Sequence, residues 1–489
     1  MFLSGRKLKI IIFLLLYSKI LIGQYVFEWN DYYDNKSLEE VVSLTRTFEG
    51  NVMMIGTSNR VKKSLWLVKI NNKGKQLWSH TYSPFLWMYP TKIIETKDTN
   101  YIIAASVSER DTANHKIWLA KINTDGRILW ERLYSGLGNA YCEDIIQTKD
   151  KGFVVAGKTS ITADDSTDWY VLKVDSLGIF QWDALYGGRY NDEAISITEM
   201  YDSTIYVGGF ITYSRGNFRK GAVLVYSKDG ININFWDFRY TRWSSVNSII
   251  ASKDSNLVLV TDEKSKGIMN FNMIVYKLTP AGDTIWSVVI DSVFRSHPVS
   301  IVETYDQGFA LAFTSKENGV FNSNVGVIKI SPFGKVAWFK IFRRKSDDYA
   351  AQVIEGIDNS LMVAVTNYNL DMGWNFGMLK YKSIEMSNLI FDTPKDSVIT
   401  YYRKFLPIVA YIVGYKKPKQ LKIYNNGQLL TTINKFDLVM DQQHKYYFNI
   451  QIPLYLGKNE LEFKVTDYKD YEFIKIKRTY YLPTPSRKW

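Results

Sequence analysis

Histidine, cysteine and acidic residues are the natural starting point, because they supply most catalytic bases, nucleophiles and metal ligands. The chain of 489 residues has four histidines, His80, His115, His297 and His444, and one cysteine, Cys142. No G-x-S-x-G, H-E-x-x-H or C-x-x-C motif accompanies them, and no phosphate-binding glycine loop occurs in the sequence. The sequence therefore predicts no catalytic residue, no metal site and no cofactor.

One acidic loop offers an alternative in the form of a calcium site. Asp164, Asp165 and Asp168 are close enough in sequence to supply carboxylate oxygens, which calcium prefers as ligands. Their spacing does not match that of a known calcium loop. A solvated loop closed by Asp168 is the simpler interpretation. We interpret the single thiol, Cys142, as a small buried hydrophobic residue.

An internal repeat with a period of 52 residues must position any site. A turn acid stands at Glu49, Asp98, Asp150, Asp202, Asp254, Asp306 and Asp358. A turn glycine stands at Gly74, Gly126, Gly178, Gly230, Gly282 and Gly334. A tryptophan stands at Trp29, Trp78, Trp130, Trp182, Trp236, Trp286 and Trp338. Each period reads as four strands joined by tight turns, which is typical of a propeller blade.

The two ends of the repeat array complement each other. The last repeat has no G-x-x-x-W strand, whereas Gln24–Tyr33 has a matching strand with Trp29 in register. Addition of this strand to the last repeat would remove exposed sheet edges. We therefore predict an all-β fold with a seven-bladed β-propeller over residues 24–385, closed by its N-terminal strand. We interpret the tryptophans as packing residues between blades.

The motif I-N-N-K-G-K-Q-L-W at residues 70–78, with its copies, resembles the tryptophan-docking repeat of the quinoprotein propeller superfamily. It is also similar to repeats of secreted bacterial propellers. The resemblance covers about three quarters of the chain and implies the fold, but little about function. The quinoprotein dehydrogenases have eight blades, and many need a vicinal cysteine pair. This chain has seven repeats and a single cysteine, Cys142, which argues against the activity of a quinoprotein dehydrogenase here.

Residues 386–489 break the repeat and consist of short alternating segments, with a hairpin signal at Asn425-Asn426-Gly427. About seven short strands in about a hundred residues predict an immunoglobulin-like β-sandwich. The pattern N-G-Q, followed by I-P-L-x-x-G-x-N-x-L-x-F-x-V, resembles bacterial Ig-like modules that follow propellers in surface proteins. That resemblance implies a spacer or docking role.

The net charge of +12 is unevenly distributed. Residues 1–23 combine four basic residues with an apolar run, as in a cleaved signal peptide, and a membrane anchor is the alternative. Residues 24–390 carry 40 basic and 40 acidic residues, and residues 391–489 carry 17 and 9. Because the basic residues of this C-terminal part are scattered, we interpret them as a soluble surface. Binding to an anionic envelope surface is the alternative. We expect no nucleic-acid partner and no transmembrane segment after cleavage.

Two sets of variable positions lie at the start of the first strand of each predicted blade, near the central funnel of the propeller. They lie on the face that holds the longer loops between second and third strands, where binding residues usually occur. Nine residues before the turn acid stand Glu40, Tyr89, Tyr141, Glu193, Ser245, His297 and Tyr349. Eleven residues before it stand Leu38, Trp87, Asn139, Asn191, Trp243, Arg295 and Asp347. Structural positions keep one residue type between repeats, whereas these positions do not. As funnel-rim binding residues we select Trp87, Tyr89, Tyr141, Glu193, Trp243, Arg295, His297, Asp347 and Tyr349.

These features predict an exported, non-catalytic binding or scaffold protein of the bacterial envelope or cell surface, located in the periplasm, at the outer-membrane surface or outside the cell. Its long-loop face would hold a protein or glycan partner. An extracellular polysaccharide lyase or glycosidase is the alternative, and would need two carboxylates or a Tyr/His pair within about 5–10 Å in the funnel. A structural adhesin, marked by aromatic patches away from the funnel, is a third hypothesis.

Overall fold

The computed structural model describes residues 24–59, 62–109, 114–160, 166–214, 218–238, 243–264, 271–290, 295–316, 322–344, 346–369, 373–384, 388–393, 398–400, 405–413, 419–434, 437–439, 445–466 and 472–482. All regular elements in these ranges are strands, which confirms the all-β prediction. No helix able to cross a bilayer is found in them. The chain divides into two compact units, Tyr25–Ser383 and Ile384–Trp489. The predicted signal peptide, residues 1–23, lies outside the described residues.

Four strands recur in each repeat of the first unit, and we name them inner, second, third and outer. The inner strands are β2 (Glu39–Arg46), β6 (Trp87–Glu95), β10 (Ala140–Gln147), β14 (Glu193–Glu199), β18 (Ser244–Ala251), β22 (Arg295–Glu303) and β26 (Asp348–Glu355). The second strands are β3 (Val52–Asn59), β7 (Tyr101–Ser108), β11 (Phe153–Ser160), β15 (Ile205–Ser214), β19 (Leu257–Lys264), β23 (Phe309–Lys316) and β27 (Leu361–Asn369). The third strands are β4 (Lys63–Ile70), β8 (Lys116–Ile122), β12 (Thr167–Val174), β16 (Phe218–Tyr226), β20 (Phe271–Leu278), β24 (Ser323–Ile330) and β28 (Gly373–Ile384). The outer strands are β1 (Gln24–Tyr33), β5 (Gln76–Tyr82), β9 (Ile128–Tyr134), β13 (Phe180–Tyr186), β17 (Asn232–Asp237), β21 (Thr284–Ile290) and β25 (Val336–Phe342).

The strands of a repeat pair in chain order, as in the antiparallel sheet β10-β11-β12-β13. The last repeat takes its outer strand from the N-terminus, in the order β1-β28-β27-β26. The first two repeats share one sheet through a single parallel pairing of Lys63 with Trp87. This repeated array of four-stranded antiparallel sheets is the architecture of a β-propeller.

The turn acid of a repeat forms an ion pair with a lysine of the third strand. The pairs are Glu49–Lys69, Asp98–Lys121, Asp150–Lys173, Asp254–Lys277, Asp306–Lys329 and Asp358–Lys380. Lys329 and Asp306 are the deepest of these, with side chains 0% and 5% exposed and Nζ 2.9 Å from Oδ1. The repeated acid therefore anchors the first turn to the third strand.

Outer-strand tryptophans contact the turn glycine of the next repeat. A Cβ atom at Gly230 would lie 2.6 Å from the ring of Trp182, whose Nε1–H donates to a backbone carbonyl of the same turn at 3.0 Å. At Gly126 the ring of His80 takes this place, with Nε2 2.8 Å from the carbonyl oxygen of Asp125. His80 therefore has a structural role in the packing between repeats.

Hydrogen bonds also join neighbouring inner strands. The Ile93 N–H donates to Ser43 Oγ at 3.2 Å, and each inner strand contacts the next one. The Leu44 N–H donates to Gln352 Oε1 at 3.0 Å, so the last repeat is joined to the first in the same way. Strand β26 accordingly contacts β2.

The core of this unit lies between adjacent sheets. One buried cluster combines Met53 and Ile55 of the first repeat with Ile103 and Ala105 of the second. Strand β7 is buried along its whole length, because sheets cover both of its faces. Such strands read as continuous apolar runs in the sequence.

The second unit has two sheets around one core. Its strands are β29 (Asn388–Thr393), β30 (Val398–Thr400), β31 (Phe405–Val413), β32 (Gln420–Asn425), β33 (Gln428–Ile433), β34 (Asp437–Val439), β35 (Lys445–Pro453), β36 (Gly457–Thr466) and β37 (Glu472–Leu482). The sheet orders are β29-β31-β35-β34 and β30-β37-β36-β32-β33. Leu406 and Phe448 of one sheet share a core with Ile423 and Phe463 of the other. The predicted hairpin joins β32 to β33, with positive φ at Asn426 and Gly427.

Candidate functional site

Every inner strand has a β-bulge at the same repeat position. The register with the second strand shifts there by one residue, and the residues at the shift are Val42, Thr91, Glu143, Ile195, Asn247, Val299 and Ala351. A bulge takes one residue out of the ladder and turns its side chain in a new direction. Glu143 is the one ionisable residue among the seven. The fold thus presents one charged bulge among neutral ones.

Five of the seven bulged residues line two cavities, and Val42 belongs to both. The larger, of about 700 Å³, is lined by Val42, Tyr89, Pro90, Thr91, Ser106, His115, Tyr141, Cys142, Glu143, Lys158 and Thr167. The smaller, of about 440 Å³, is lined by Glu40, Val41, Val42, Val299, Tyr349, Ala350, Ala351, Thr366 and Trp374. We call them the polar cavity and the apolar cavity, because only the larger combines a lysine, a histidine and a bulged carboxylate.

Three charged side chains meet at the polar cavity. Lys158 Nζ lies 3.0 Å from Glu193 Oε1 and 3.3 Å from Glu143 Oε1. Burial raises the pKa of Glu143 and Lys158 lowers it, and the neighbouring Glu193 carboxylate helps to bring it to about 7. Burial lowers the pKa of Lys158, but the two carboxylates together raise it above its usual value. One ammonium is therefore shared by two acids, one of which binds a proton readily.

Lys158 departs from the pattern of the second strand. The equivalent residues are Thr57, Ser106, Phe210, Asp262, Thr314 and Thr366. Three of the hydroxyls accept a backbone N–H from the next inner strand: Cys142 donates to Ser106, Ala350 to Thr314 and Val41 to Thr366, at 2.9, 3.0 and 3.1 Å. At Lys158 this structural hydroxyl is replaced by a charge that reaches the cavity.

Aromatic rings continue from this charged group. His115 lies between two tyrosines, with ring centroids 4.8 Å from Tyr141 and 6.1 Å from Tyr89. Lys158 Nζ lies 5.8 Å from the Tyr141 ring, and Lys63 Nζ lies 4.1 Å from the Tyr89 ring. Cationic and aromatic groups therefore alternate along the edge of the polar cavity.

Of the residues nine positions before the turn acid, four line the cavities, Glu193 contacts a lining residue, and Ser245 is buried away from both cavities. Tyr89 and Tyr141 line the polar cavity, Glu193 pairs with Lys158, and Tyr349 lines the apolar cavity. Tyr349 also contacts Trp374, with centroids 5.6 Å apart. The side chain of His297 lies outside the described part of the chain.

The residues eleven positions before the turn acid join repeats together. Asn139, Asn191 and Asp347 each accept a backbone N–H at the start of the preceding third strand, at 2.9, 3.0 and 2.7 Å. Trp243 stacks on Arg219, whose guanidinium carbon lies 3.6 Å from its ring centroid. Trp87 pairs with Lys63 at the corresponding place. The side chain of Arg295 lies outside the described residues.

The reasoning from sequence missed Glu143, Lys158 and His115. Lys158 had a detectable signal, because it interrupts a register rich in serine and threonine. His115 has a fixed repeat position as well, 52 residues after Lys63 and before Thr167. Glu143 has no sequence signal of its own, since the bulge is defined by strand pairing.

The single thiol and the acidic loop are the remaining candidate reactive groups. Cys142 is a buried free thiol, and burial raises its pKa well above the usual value. Among the residues that the structure describes, no group of three or more His, Cys, Asp or Glu is placed to hold a metal ion. Asp164 and Asp165 of the acidic loop lie outside those residues.

No protein family matches the sequence, and neither does any curated protein. The structure is similar to an ulvan lyase of a polysaccharide lyase family, with 10% identity over 73% of this chain and 94% of that one and a TM-score of 0.46. It is similar to the propeller domain of the trilobed protease from Pyrococcus furiosus, with 11% identity, 71% and 97% coverage and a TM-score of 0.45. It is also similar to a protein of unknown function from Bacteroides caccae, with 11% identity, 60% and 94% coverage and a TM-score of 0.39. Identities this low leave function to be argued from the residues of this chain.

Proposed function

We propose that the first unit is a seven-bladed propeller closed by β1, and that it binds a protein or glycan partner in its central funnel. Pairing of β1 with β28 and the bond from Leu44 to Gln352 support closure. We also propose that residues 1–23 direct export of the protein. Its location would then be the periplasm, the outer-membrane surface or the outside of the cell. In this proposal the protein is a non-catalytic binding or scaffold component.

One observation carries the binding function. The seven aligned bulges carry six different residue types on an otherwise constant frame, and five of the seven side chains line the two cavities. A rigid scaffold with variable residues at one concave place is the usual design of a binding site. The cavities of about 700 and 440 Å³ are within the size range of ligand sites.

For the second unit we propose an immunoglobulin-like sandwich that acts as a spacer or docking module. Its two sheets and shared core support the sandwich. The excess of 17 basic over 9 acidic residues in positions 391–489 would favour contact with an anionic envelope surface. That contact would weaken as the salt concentration increases.

A lyase or glycosidase is the second candidate, because the polar cavity brings a Tyr/His pair together. The Tyr141 and His115 ring centroids are 4.8 Å apart, and two carboxylates share Lys158 beside them. Such groups could exchange protons with a sugar. Incubation with polysaccharides, followed by measurement of new reducing ends and of unsaturated sugar absorbance, tests this candidate. Sustained turnover that Tyr141→Phe abolishes would replace the non-catalytic proposal.

The binding proposal is tested by affinity capture from the source organism with residues 24–489 as bait. A parallel bait carries Tyr141→Ala with Lys158→Thr, and a matched control carries Lys149→Thr, a lysine with its backbone N–H bonded to Glu199 away from the cavities. A partner retained by the native and control baits but lost from the cavity variant supports the proposal. Equal retention by all three baits contradicts it.

A further inference from the structure

Equivalent positions of the second strands differ between repeats, and these differences indicate where in the funnel a ligand would bind. Lys158, Phe210 and Asp262 are the three successive second-strand positions that lack the repeated hydroxyl. Glu143 is the charged bulge of the same part of the array, and Arg219 packs 4.2 Å from the Phe210 ring. These departures from the structural pattern fall in three consecutive repeats, and two of them, Lys158 and Glu143, line the polar cavity. They indicate that recognition is concentrated on one side of the funnel.

The charges around the polar cavity balance one another. Lys158 Nζ forms ion pairs with both Glu143 and Glu193. Burial lowers the pKa of both Lys63 and Arg219, whereas the charge of Glu40 raises that of Lys63 and the charges of Asp262 and Glu193 raise that of Arg219. An ionic ligand would have to displace one of these partners and leave a charge without compensation. The arrangement therefore selects against strongly charged ligands.

The same groups offer hydrogen-bond donors and acceptors side by side. The Lys158 ammonium can donate three hydrogen bonds, whereas the carboxylates of Glu143 and Glu193 accept them. A hydroxyl both donates and accepts, so adjacent hydroxyls of one ring can bond an ammonium and a carboxylate together. The rings of Tyr89 and Tyr141 add flat apolar surface to the cavity. Few biological groups other than a sugar combine adjacent hydroxyls with an apolar ring face.

We propose that the polar cavity binds an uncharged sugar unit of a glycan, with Lys158, Glu143 and Glu193 bonded to its hydroxyls and the tyrosines against its ring. This inference rests on the proposed binding function and specifies its ligand. The concave shape favours this ligand over a folded protein, because a stable protein interface needs about 800 Å² per partner with a well-packed core. The neighbouring apolar cavity, with Tyr349 and Trp374, would receive the next unit of the chain.

The test is calorimetric titration of residues 24–489 with neutral trisaccharides, namely cellotriose, laminaritriose, mannotriose, xylotriose and chitotriose, beside trigalacturonic acid. We expect binding of at least one neutral trisaccharide with little dependence on salt. Lys158→Thr restores the hydroxyl of the repeat, and Glu193→Gln keeps the shape of its side chain. Each should weaken binding about tenfold or more, because each removes a hydrogen bond to a charged group. Lys149→Thr should leave affinity unchanged, and thermal unfolding confirms that every variant is folded.

Three outcomes overturn this inference in distinguishable ways. Preference for trigalacturonic acid with strong salt dependence would mean an anionic glycan, and the binding function would stand. No response to any trisaccharide, together with a protein captured through the cavity, would mean a protein partner. No response to any trisaccharide and no cavity-dependent capture would remove both proposals.

Discussion

Lys329 and Asp306 form an ion pair with almost no solvent contact, whereas Asp98 of the corresponding Lys121 pair is 53% exposed. Burial lowers the pKa of Lys329, although Asp306 raises it. Asp306→Asn leaves this ammonium without its counter-charge and should lower the free energy of unfolding by about 3–5 kcal/mol. Asp98→Asn should cost about 1 kcal/mol, because water replaces the lost partner. Urea unfolding of both variants measures the difference, and equal losses would refute it.

Three buried acids, Glu39, Asp192 and Asp348, share the repeat position ten residues before the turn acid. Burial raises the pKa of Glu39 to about 7, and those of Asp192 and Asp348 to about 6. An acid with a higher pKa in the folded state stabilises the fold most below its unfolded pKa, and this contribution is lost as the pH rises through the folded pKa. The free energy of unfolding should therefore fall between about pH 4 and pH 7, by roughly 3 kcal/mol for each of the three acids, because each pKa is raised by about two.

Urea unfolding over this pH range checks the effect. Asp348→Asn should flatten the pH dependence, because the amide does not titrate. Asp98→Asn is the control, since Lys121 and other hydrogen-bond donors outweigh burial and hold the pKa of Asp98 below its usual value. An unchanged slope in Asp348→Asn would show that this carboxyl does not titrate between the two limits.

At the scale of elements, hydroxyls of three second strands each accept a backbone N–H from the inner strand of the next repeat. Thr366 Oγ1 accepts the Val41 N–H at 3.1 Å, whereas Thr57 faces Pro90 in the equivalent register and has no N–H to accept. Thr57 Oγ1 is buried without a hydrogen-bond partner among the described residues. Thr366→Val should therefore cost about 1–3 kcal/mol, and Thr57→Val should be neutral or stabilising. Thermal unfolding compares the two, and a greater loss in Thr57→Val would contradict the assignment.

The repeat spacing predicts the elements of the first unit but only part of its candidate site. Strands, turns and the pairing of β1 with the last repeat follow from spacing, because turn glycines and alternating apolar residues have fixed periods. The repeat register also singles out Tyr89, Tyr141 and Glu193, because it aligns the variable positions of all repeats. Bulges are defined by hydrogen bonding between strands, so Glu143 could not be placed. The variability of its repeat position predicts that Asp347 is a binding residue. Its carboxylate instead accepts the Ser323 N–H, a contact that is evident only once the neighbouring repeats are paired.

At the scale of the whole molecule, β1 connects the two ends of the array. Tyr25 and Tyr33 are buried, Glu28 lies 3.3 Å from Lys380, and the Tyr33 hydroxyl donates to the carbonyl oxygen of Gly74 at 2.6 Å. The strand thus contacts both the last repeat and the first. Its contribution to stability therefore depends on both ends of the array, since neither repeat holds the strand alone.

Removal of Gln24–Tyr33 should consequently destabilise the entire first unit. Loss of two buried aromatic side chains costs about 3–5 kcal/mol each, and the edge of β28 becomes exposed as well. That sum is comparable to the total stability of a typical domain, so the protein starting at Asp34 should unfold or aggregate at ambient temperature. Circular dichroism and size-exclusion chromatography measure this, with Tyr33→Phe as a mild control that loses about 1 kcal/mol. A peptide of residues 24–33 added in trans should restore the native melting transition. A truncated protein that melts like the full chain would exclude closure by this strand.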